Sequence, residues 1–306
     1  MKGEGGDMSI VVVGSVAFDT IETPQSRADE VLGGSAAYFA VAASYFAPVK
    51  LVAVIGEDFP AHERDFLASR NIDLEGLTVG KGRTFRWTGR YHEDMNMRDT
   101  LDLQLNVFAD FAPVLPTSYR NAPFVFLANI NPSLQDQVLS QFTQPRLIAC
   151  DTITHWIEGA RPALEALLKK VEILIINDEE ARLISGERNV VRAARKILSL
   201  GPRTLLIKRG EYGVLLFSAQ SVFAVPAYPL EEVFDPTGAG DSFAGGFLGY
   251  LAESGDLSEA GQRKAIVYGS VVASFVVEDF SLRRLRTLTR EDIDRRYRQF
   301  VSLTQF

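Results

Sequence analysis

The sequence predicts an α/β fold in which a mostly parallel central sheet is flanked by helices on both faces. Short apolar runs, rich in β-branched residues and free of charge, are typical of strands buried on both faces. These runs are residues 10–13, 51–55, 124–127, 147–149, 173–176 and 205–207. Segments of helical periodicity alternate with them, and that order is typical of a doubly wound sheet. A chain of 306 residues is long enough for one such domain.

Three segments predict helices of the flanking layers. Residues 34–46 are rich in alanine and aromatic residues, and residues 156–170 place Leu164 and its apolar neighbours on one face. Residues 291–301 place Ile293 and other apolar residues opposite the charged ones.

Two stretches interrupt the alternation of strands and helices. Residues 18–32 are polar, and residues 83–107 alternate aromatic with polar residues, which indicates exposed antiparallel strands. Two interpretations stay open, a lid over a site or ordinary surface hairpins. We expect a single domain over residues 1–306, with lid segments at about 15–32 and 83–112.

The second of these stretches carries Phe85, Trp87 and Tyr91. These aromatic side chains are expected either to pack on the core or to face a substrate or a partner chain. Arg86 and Arg90 are expected to be solvated.

Composition excludes several classes of protein. The formal net charge of −7 argues against a general binder of nucleic acid or anionic membranes. The single cysteine, Cys150, fits a reducing cytoplasm, and the three widely spaced histidines offer no metal cluster. No apolar run reaches the roughly 18 residues of a membrane span, and residues 1–7 resemble a loose polar tail more than a signal peptide. We expect a cytoplasmic protein whose partner is a small molecule.

The segment 235–241, DPTGAGD, contains the strongest chemical signal. Residues 231–234 before it predict a strand, and apolar residues at helical spacing follow it. Glycines at a helix N-terminus let unpaired N–H groups approach an anion closely. An acidic residue beside such a site, Asp241, fits a base that takes a proton from an attacking hydroxyl group. The alternative is a tight turn in which Asp241 only complements the helix dipole.

Two other phosphate-binding patterns are missing from the sequence. There is no GxxxxGK[ST] segment, and residues 14–19 after the first strand contain a single glycine. The missing G-x-G-x-x-G pattern disfavours a nicotinamide-dependent dehydrogenase.

Residues 235–243 resemble the second signature of the ribokinase (PfkB) family of carbohydrate and nucleoside kinases. Residues 33–37 with 52–58 are similar to its first signature. Further segments follow in the order of the family's motifs: 67–73, 177–180 and 208–213. The resemblance spans nearly the whole chain and implies a ribokinase-like fold with a small β lid.

The resemblance also implies roles for individual residues. Asp241 is the expected catalytic base, beside an anion hole formed by Gly238, Ala239 and Gly240. The residues expected at the substrate are Asp19, Gly33, Gly34 and Tyr38. The residues expected at the nucleotide are Asn177, Lys208, Gly210, Gly213, Thr237 and Gly269. Glu180 is expected to hold Mg²⁺ through water.

Each role has a purely structural alternative. Asn177 and Glu180 also fit a capping box, and Asp19 also fits a turn. The glycine pairs 33–34 and 210–213 also fit a loop end and a tight turn. Lys208 stands where the family usually has Thr, so it either faces a phosphate or lies exposed. Tyr38 stands where the family usually has Asn, which puts a ribose-type contact in doubt.

The sequence therefore predicts an ATP- and Mg²⁺-dependent kinase that phosphorylates a hydroxyl group of a sugar or sugar-like polyol. The alternatives are a nucleoside or myo-inositol kinase of the same family and a non-catalytic sensor that keeps the fold. Residues 278–281 do not resemble the family's glycine-containing loop for a monovalent cation, so potassium dependence is left open. Family lids often pair between two chains, which suggests a homodimer through the lid.

Overall fold

The computed structural model describes residues 7–305, so most of the expected N-terminal tail lies outside the described residues. The strands are β1 Ile10–Val13, β2 Ala17–Glu22, β3 Arg27–Gly33, β4 Val49–Gly56, β5 Ile72–Asp73, β6 Leu77–Gly80, β7 Phe85–Tyr91, β8 Arg98–Gln104, β9 Phe124–Leu127, β10 Leu147–Cys150, β11 Ile173–Asn177, β12 Thr204–Lys208, β13 Val214–Ser218 and β14 Val222–Val225. The α-helices are α1 Ser35–Ala43, α2 Ala61–Ser69, α3 Pro132–Leu139, α4 Thr154–Gly159, α5 Arg161–Leu168, α6 Asp178–Ser185, α7 Val190–Leu198, α8 Ala239–Ser254, α9 Glu259–Val276, α10 Arg283–Thr287 and α11 Arg290–Leu303.

A ten-stranded sheet runs through the molecule in the order β14-β13-β12-β11-β10-β9-β1-β4-β5, with β6 paired to β4. Its strands are parallel except at β12–β13 and β13–β14. The six charge-free apolar runs of the sequence all lie in strands of this sheet. The carboxyl ends of the parallel strands meet at one edge of the sheet, where α/β folds usually bind ligands.

Two apolar layers cover the faces of this sheet. Alternate residues of β1 point to opposite sides, Ile10 and Val12 toward one layer and Val11 and Val13 toward the other. One layer contains α1, α8 and α9, and the other contains α3 to α7. All nine residues of α1 are buried, so this helix is fixed between the sheet and α8.

The helix predicted over residues 156–170 is two helices, α4 and α5, with a break at Ala160. The cause is Pro162. A proline within a helix would lose a hydrogen bond to the carbonyl oxygen four residues earlier and would clash with it. The chain therefore ends α4 and places Pro162 in the first turn of α5.

The strand predicted over residues 231–234 is also wrong. The segment has no regular structure, and Phe234 is exposed. Pro229 and Pro236 on either side lack the N–H groups that a ladder needs. The Phe234 N–H instead donates to the Val277 carbonyl oxygen at 2.8 Å.

A four-stranded small sheet, in the order β3-β2-β7-β8, is formed by the two stretches that interrupt the main alternation. The β2–β3 and β7–β8 pairs are antiparallel, as the sequence predicts, and β2 and β7 are parallel. The pairing sets Asp19 beside Trp87 and Tyr91 beside Arg98, all on one face of the small sheet. The opposite face carries Arg90.

The side chains of β7 separate into packed and exposed groups. Tyr91 is buried, and the Phe85 ring stacks on Phe108 with 5.3 Å between centroids. The expectation that Arg86 is solvated is wrong, because its guanidinium is largely covered and pairs with Asp58 at 2.8 Å. Arg90 is exposed and pairs with Glu22 at 2.7 Å.

Among residues 7–305, no helix combines the length and the apolar character needed to cross a bilayer.

Candidate active site

A buried carboxylate shapes the turn before α8. Asp235 has no solvent exposure. Its Oδ1 accepts the Thr237 N–H at 2.8 Å, and its Oδ2 accepts the Ser281 N–H at 3.0 Å. Gly238 then adopts φ 74°, a left-handed conformation that favours glycine. The chain enters α8 directly afterwards, so the turn directs the first N–H groups of that helix.

The N-terminus of α8 presents free backbone donors. Within residues 7–305, the N–H groups of Gly240 and Asp241 meet no acceptor, whereas the Ala239 N–H is bonded to the Pro236 carbonyl oxygen at 3.2 Å. Free N–H groups combined with the positive end of the helix dipole favour an anion. Of the residues predicted for the anion hole, Gly240 offers a free N–H group, whereas the Ala239 N–H is already bonded. The role of Gly238, Ala239 and Gly240 toward a phosphate stays a prediction.

Asp241 stands in the first turn of α8 and is partly exposed. Desolvation by the surrounding protein raises the pKa of Asp241 to about 6, while the positive charges of Lys208 and Arg98 act to lower it. A carboxylate of that pKa is ionised at neutral pH and still basic enough to accept a proton from a reacting hydroxyl. The alternative, in which this carboxylate only complements the helix dipole, does not account for the two cations beside it.

Lys208 ends β12 on the same side of the sheet. Its Nζ lies 2.6 Å from the position that a Cβ would take on Gly240, so the ammonium group borders the free N–H groups. Lys208 makes no ion pair with any residue in the range 7–305. Lys208 is half-buried and lies beside the candidate anion hole, so it is not an exposed lysine. Its contact with a phosphate stays a prediction.

Asp151 joins this group and was missed in the sequence. It follows β10 directly and is buried, and its Oδ1 has no hydrogen-bond partner in the described chain. Burial and the negative charge of Asp241 raise its pKa well above the usual range. A polar residue directly after a buried parallel strand is a usable signal, because ligands of α/β folds bind at the carboxyl ends of the strands.

Asn177 and Glu180 form the capping box that the sequence allows. The Asn177 side chain accepts the Glu180 N–H at 2.7 Å, and Glu180 Oε2 accepts the Asn177 N–H at 2.8 Å. Burial raises the pKa of Glu180. The cap uses only one carboxylate oxygen, and Oε1 has no partner within residues 7–305.

Two carboxylate oxygens are therefore available for a cation, Glu180 Oε1 and Asp151 Oδ1. In the described chain no three Asp, Glu, His or Cys side chains converge on one metal position. Mg²⁺ keeps several waters and is usually held by one or two carboxylates together with substrate phosphates. The residues present fit that mode of binding.

Asp19 faces the site from β2 in the small sheet, and it is buried. Burial raises the pKa of Asp19 to about 8, and the charges of Asp235 and Asp241 act in the same direction. A Cβ on Gly33 would come within 1.9 Å of the Asp19 carboxylate. Gly33 is therefore a close-approach glycine that makes room for this side chain. Gly34, at φ 94°, leads into α1.

Two tyrosines bracket the turn before α8. Tyr38 of α1 is buried, and a Cβ on Gly238 would come within 2.3 Å of its ring. Tyr91 of the small sheet places its Oη 3.0 Å from Thr237 Oγ1. Tyr38 therefore packs against the turn itself, and Tyr91 links the small sheet to the same turn.

The remaining predicted residues are spread more widely. Gly210 and Gly213 lie in the turn between β12 and β13, with φ 54° and 82°. Gly269 is buried between α8 and α9, where a Cβ would come within 2.7 Å of the Phe243 carbonyl oxygen. Helix packing explains the glycine at 269, and its role toward a nucleotide stays a prediction.

Arg98 at the start of β8 was also missed. Its guanidinium lies 5.5 Å from the centre of the Trp87 ring and 3.5 Å from Tyr91 Oη. No motif marks this arginine in the sequence, because only the pairing of β7 with β8 brings it to the site.

Comparisons with known proteins identify the family of the chain. A family model described as "pfkB family carbohydrate kinase" matches residues 7–287, which is most of the chain. The chain belongs to the pfkB family of carbohydrate kinases. It is therefore a phosphotransferase with a hydroxyl acceptor, and the resemblance found in the sequence is confirmed.

Three similar proteins extend this result. Over 257 residues the chain is 34% identical to the cytidine kinase of Thermococcus kodakarensis, which covers 82% of this chain and 91% of that protein. It is 28% identical over 293 residues to the nucleoside kinase of Methanothermobacter thermautotrophicus, covering 89% and 90%. A candidate ribokinase II of E. coli, solved with ATP and Mg²⁺, superposes with a TM-score of 0.77 at 19% identity over 96% of this chain and 99% of that chain. That superposition confirms the ribokinase-like fold.

We predict that phosphoryl transfer falls about tenfold per pH unit below a pH near 6. The proposed base must be deprotonated, and the pKa of Asp241 is raised to about 6, so its basic form is lost as the pH drops through that value. The measurement is kcat against pH from about 4.5 to 9.

Lys208→Met should shift the fall of kcat at acidic pH to higher pH, since the ammonium group lowers the Asp241 pKa. Lys170→Met removes a surface lysine that pairs with Asp136 and serves as the matched control. An unchanged pH dependence of kcat in Lys208→Met would contradict the assignment of this pH dependence to Asp241.

Proposed function

We propose that this kinase transfers the γ-phosphoryl group of ATP to a hydroxyl group of a nucleoside. The observation that supports the chemistry is the meeting of Asp241 with two free N–H groups and Lys208 at the start of α8. A base and an anion hole side by side are what the transfer to a neutral hydroxyl requires.

In the proposed reaction the acceptor oxygen attacks the γ-phosphorus. A new O–P bond forms, the bond from phosphorus to the β–γ bridging oxygen breaks, and the electron pair leaves with ADP. The acceptor proton moves to Asp241. The N–H groups of Gly240 and Asp241 and the Lys208 ammonium lie where they would balance the charge on the transferring group.

Mg²⁺, held near Glu180 and Asp151, would neutralise charge on the phosphates and orient them. These two carboxylates are proposed to act through water, because the capping box already engages one Glu180 oxygen.

A nucleoside is preferred over a sugar or polyol because the two curated relatives above are named cytidine kinase and nucleoside kinase. The sequence left a nucleoside as an alternative acceptor, because Tyr38 and the aromatic residues of the lid suit a flatter or bulkier substrate. With Tyr38 packed on Gly238, the acceptor contact that remains from the predicted set is Asp19. A carboxyl group there can accept hydrogen bonds from neighbouring hydroxyl groups.

We propose that the chain acts as one domain over residues 1–306 in which the small sheet, with segments near 15–32 and 83–112, is a lid. Two contacts support this role. Tyr91 meets Thr237 beside the anion hole, and Asn96 Nδ2 donates to Glu211 Oε2 at 3.2 Å in the β12–β13 turn. The lid thereby spans the acceptor side and the predicted nucleotide side, and it would exclude water when closed.

The exposed strand β8 supports a homodimer through the lid. Leu101 and Leu103 are 45% and 54% exposed on an edge strand. Edge strands with exposed apolar residues tend to pair with another chain. We also propose a cytoplasmic location, since the one cysteine, Cys150, is buried and free.

The first test is Asp241→Asn. We expect kcat to fall by about 10²–10⁴-fold, the usual contribution of a general base, with little change in ATP affinity. Asp65→Asn on the exposed surface of α2 is the matched control. The assay is ADP formation with a panel of ribonucleosides, sugars, polyols and myo-inositol, with product identification.

Each outcome of this panel decides between the alternatives. Turnover limited to sugars, polyols or myo-inositol would refute the nucleoside acceptor. Ligand binding without ADP formation would identify a sensor, and full activity of Asp241→Asn would refute the base.

We also propose that activity does not depend on a monovalent cation. Residues 278–281 do not resemble the family's glycine-containing loop for a monovalent cation. The Ser281 N–H of that segment instead donates to the buried Asp235, whose other oxygen accepts the Thr237 N–H. Rates in KCl, NaCl and choline chloride of equal ionic strength should therefore agree within about twofold. Activation specific to potassium would contradict this proposal.

For the dimer, we predict that Leu103→Asp lowers the mass seen in sedimentation equilibrium from two chains to one, because it puts charge in an apolar contact. Val114→Asp changes a residue that is 71% exposed outside the proposed lid and should leave the mass unchanged. A monomeric wild-type protein would refute the dimer.

A further inference from the structure

The small sheet carries several arginines, and one of them differs from the others. Arg27, Arg86 and Arg90 each pair with at least one carboxylate. Arg98 forms no ion pair with any residue in the range 7–305, although its side chain is solvent-accessible. An arginine held without a carboxylate partner is free to bind an anionic ligand.

Two aromatic side chains hold this guanidinium in place. It lies 5.5 Å from the Trp87 ring centre, and it donates to Tyr91 Oη at 3.5 Å. Tyr91 Oη is also 3.0 Å from Thr237 Oγ1. Arg98 is thus connected by two hydrogen bonds to the residue that precedes Gly238.

The hydrogen bonds through Tyr91 place Arg98 near Thr237, at the turn before α8. The positive charge of Arg98 also acts to lower the pKa of Asp241 on α8 and of Asp19 on β2. This electrostatic effect is consistent with that position.

Lys208 reaches the start of α8 from the main sheet, where its Nζ borders Gly240. Arg98 reaches the turn before α8 from the small sheet, through Tyr91 and Thr237. Neither cation has an ion-pair partner among the described residues. Two unpaired cations near this helix N-terminus favour a multiply charged anion there.

We propose that Arg98 is a catalytic residue that binds the phosphoryl group in transfer, and that Tyr91 is the positioning residue that holds it. This inference rests on the proposed kinase function. Arg98 stays protonated and exchanges no atom with the substrate, so the bond and proton changes given above are unaltered. The guanidinium balances the negative charge that shifts between the γ-phosphoryl group and ADP. The small sheet thereby supplies part of the catalytic charge as well as a cover.

The test compares Arg98→Ala and Arg98→Lys with wild type, using an acceptor that wild type phosphorylates. We expect kcat to fall by roughly 10²–10³-fold in Arg98→Ala, as for the loss of one preorganised donor to a transition state. The KM for the acceptor should change by less than about threefold. Arg98→Lys keeps the charge but loses the planar fork, and it should recover only part of the rate.

Two further measurements separate catalysis from structure. Guanidine hydrochloride at low millimolar concentration should raise the rate of Arg98→Ala several-fold. Arg98→Ala should also fail to trap ADP with aluminium fluoride and acceptor, while its affinity for ADP alone changes little. A purely structural loss would respond to neither. Tyr91→Phe should give a smaller loss of kcat, because it removes a partner of Arg98 but not the cation.

Arg90→Ala is the matched control, since Arg90 lies on the opposite face of the small sheet and pairs with Glu22. It should keep kcat within about twofold. Wild-type kcat in Arg98→Ala, or a loss confined to KM, would overturn the proposal. Failure of wild type with every acceptor would instead refute the proposed function, and turnover of a sugar but no nucleoside would refute only the acceptor class.

Discussion

The site depends on one buried carboxylate that accepts two backbone N–H groups. Asp235 accepts the N–H groups of Thr237, just before α8, and of Ser281, just after α9. This contact joins two chain segments that are distant in sequence, and it holds the left-handed turn at Gly238 in a fixed direction. That turn sets the orientation of the α8 N–H groups and the position of Asp241. It also provides the surface at Gly238 on which Tyr38 packs. A carboxylate with no solvent exposure is costly unless it is well bonded. Burial raises the pKa of Asp235, and the hydrogen bonds to Thr237 and Ser281 act against that rise.

Much of the main sheet could be predicted from sequence, because buried parallel strands leave a simple apolar signature. The runs at 124–127 and 173–176 needed nothing else. The break at Ala160 and the irregular segment 231–234 were missed because prolines outweighed the apolar pattern. The glycine-rich turn and the box of Asn177 and Glu180 were local motifs and therefore visible. Arg98 and the contact of Tyr91 with Thr237 were not, because the pairing of separate strands creates them.

The choice of acceptor shows a similar limit. The motifs identify the transferred group, since they describe the anion hole and the base. The side chains proposed for the acceptor come from the small sheet and α1, and these follow no fixed spacing. Sequence alone therefore ranked a sugar or polyol first, whereas the curated relatives favour the nucleoside alternative. Carboxylates also crowd this region, with Asp19, Asp151 and Glu180 all buried. Such crowding reduces the stability of the empty site and favours cationic partners for it.

The complete burial of α1 has a consequence for how the cleft could open. Because that helix is wedged against α8 and the sheet, any swing of the strand before it would have to turn at Gly33 and Gly34, where that strand meets α1. Asp19 lies on the neighbouring strand and against Gly33, so it travels with any such swing. Opening would then withdraw the acceptor's carboxyl contact at the same moment that it admits solvent. In such an enzyme, departure of the phosphorylated product and renewed wetting of the cleft are a single event.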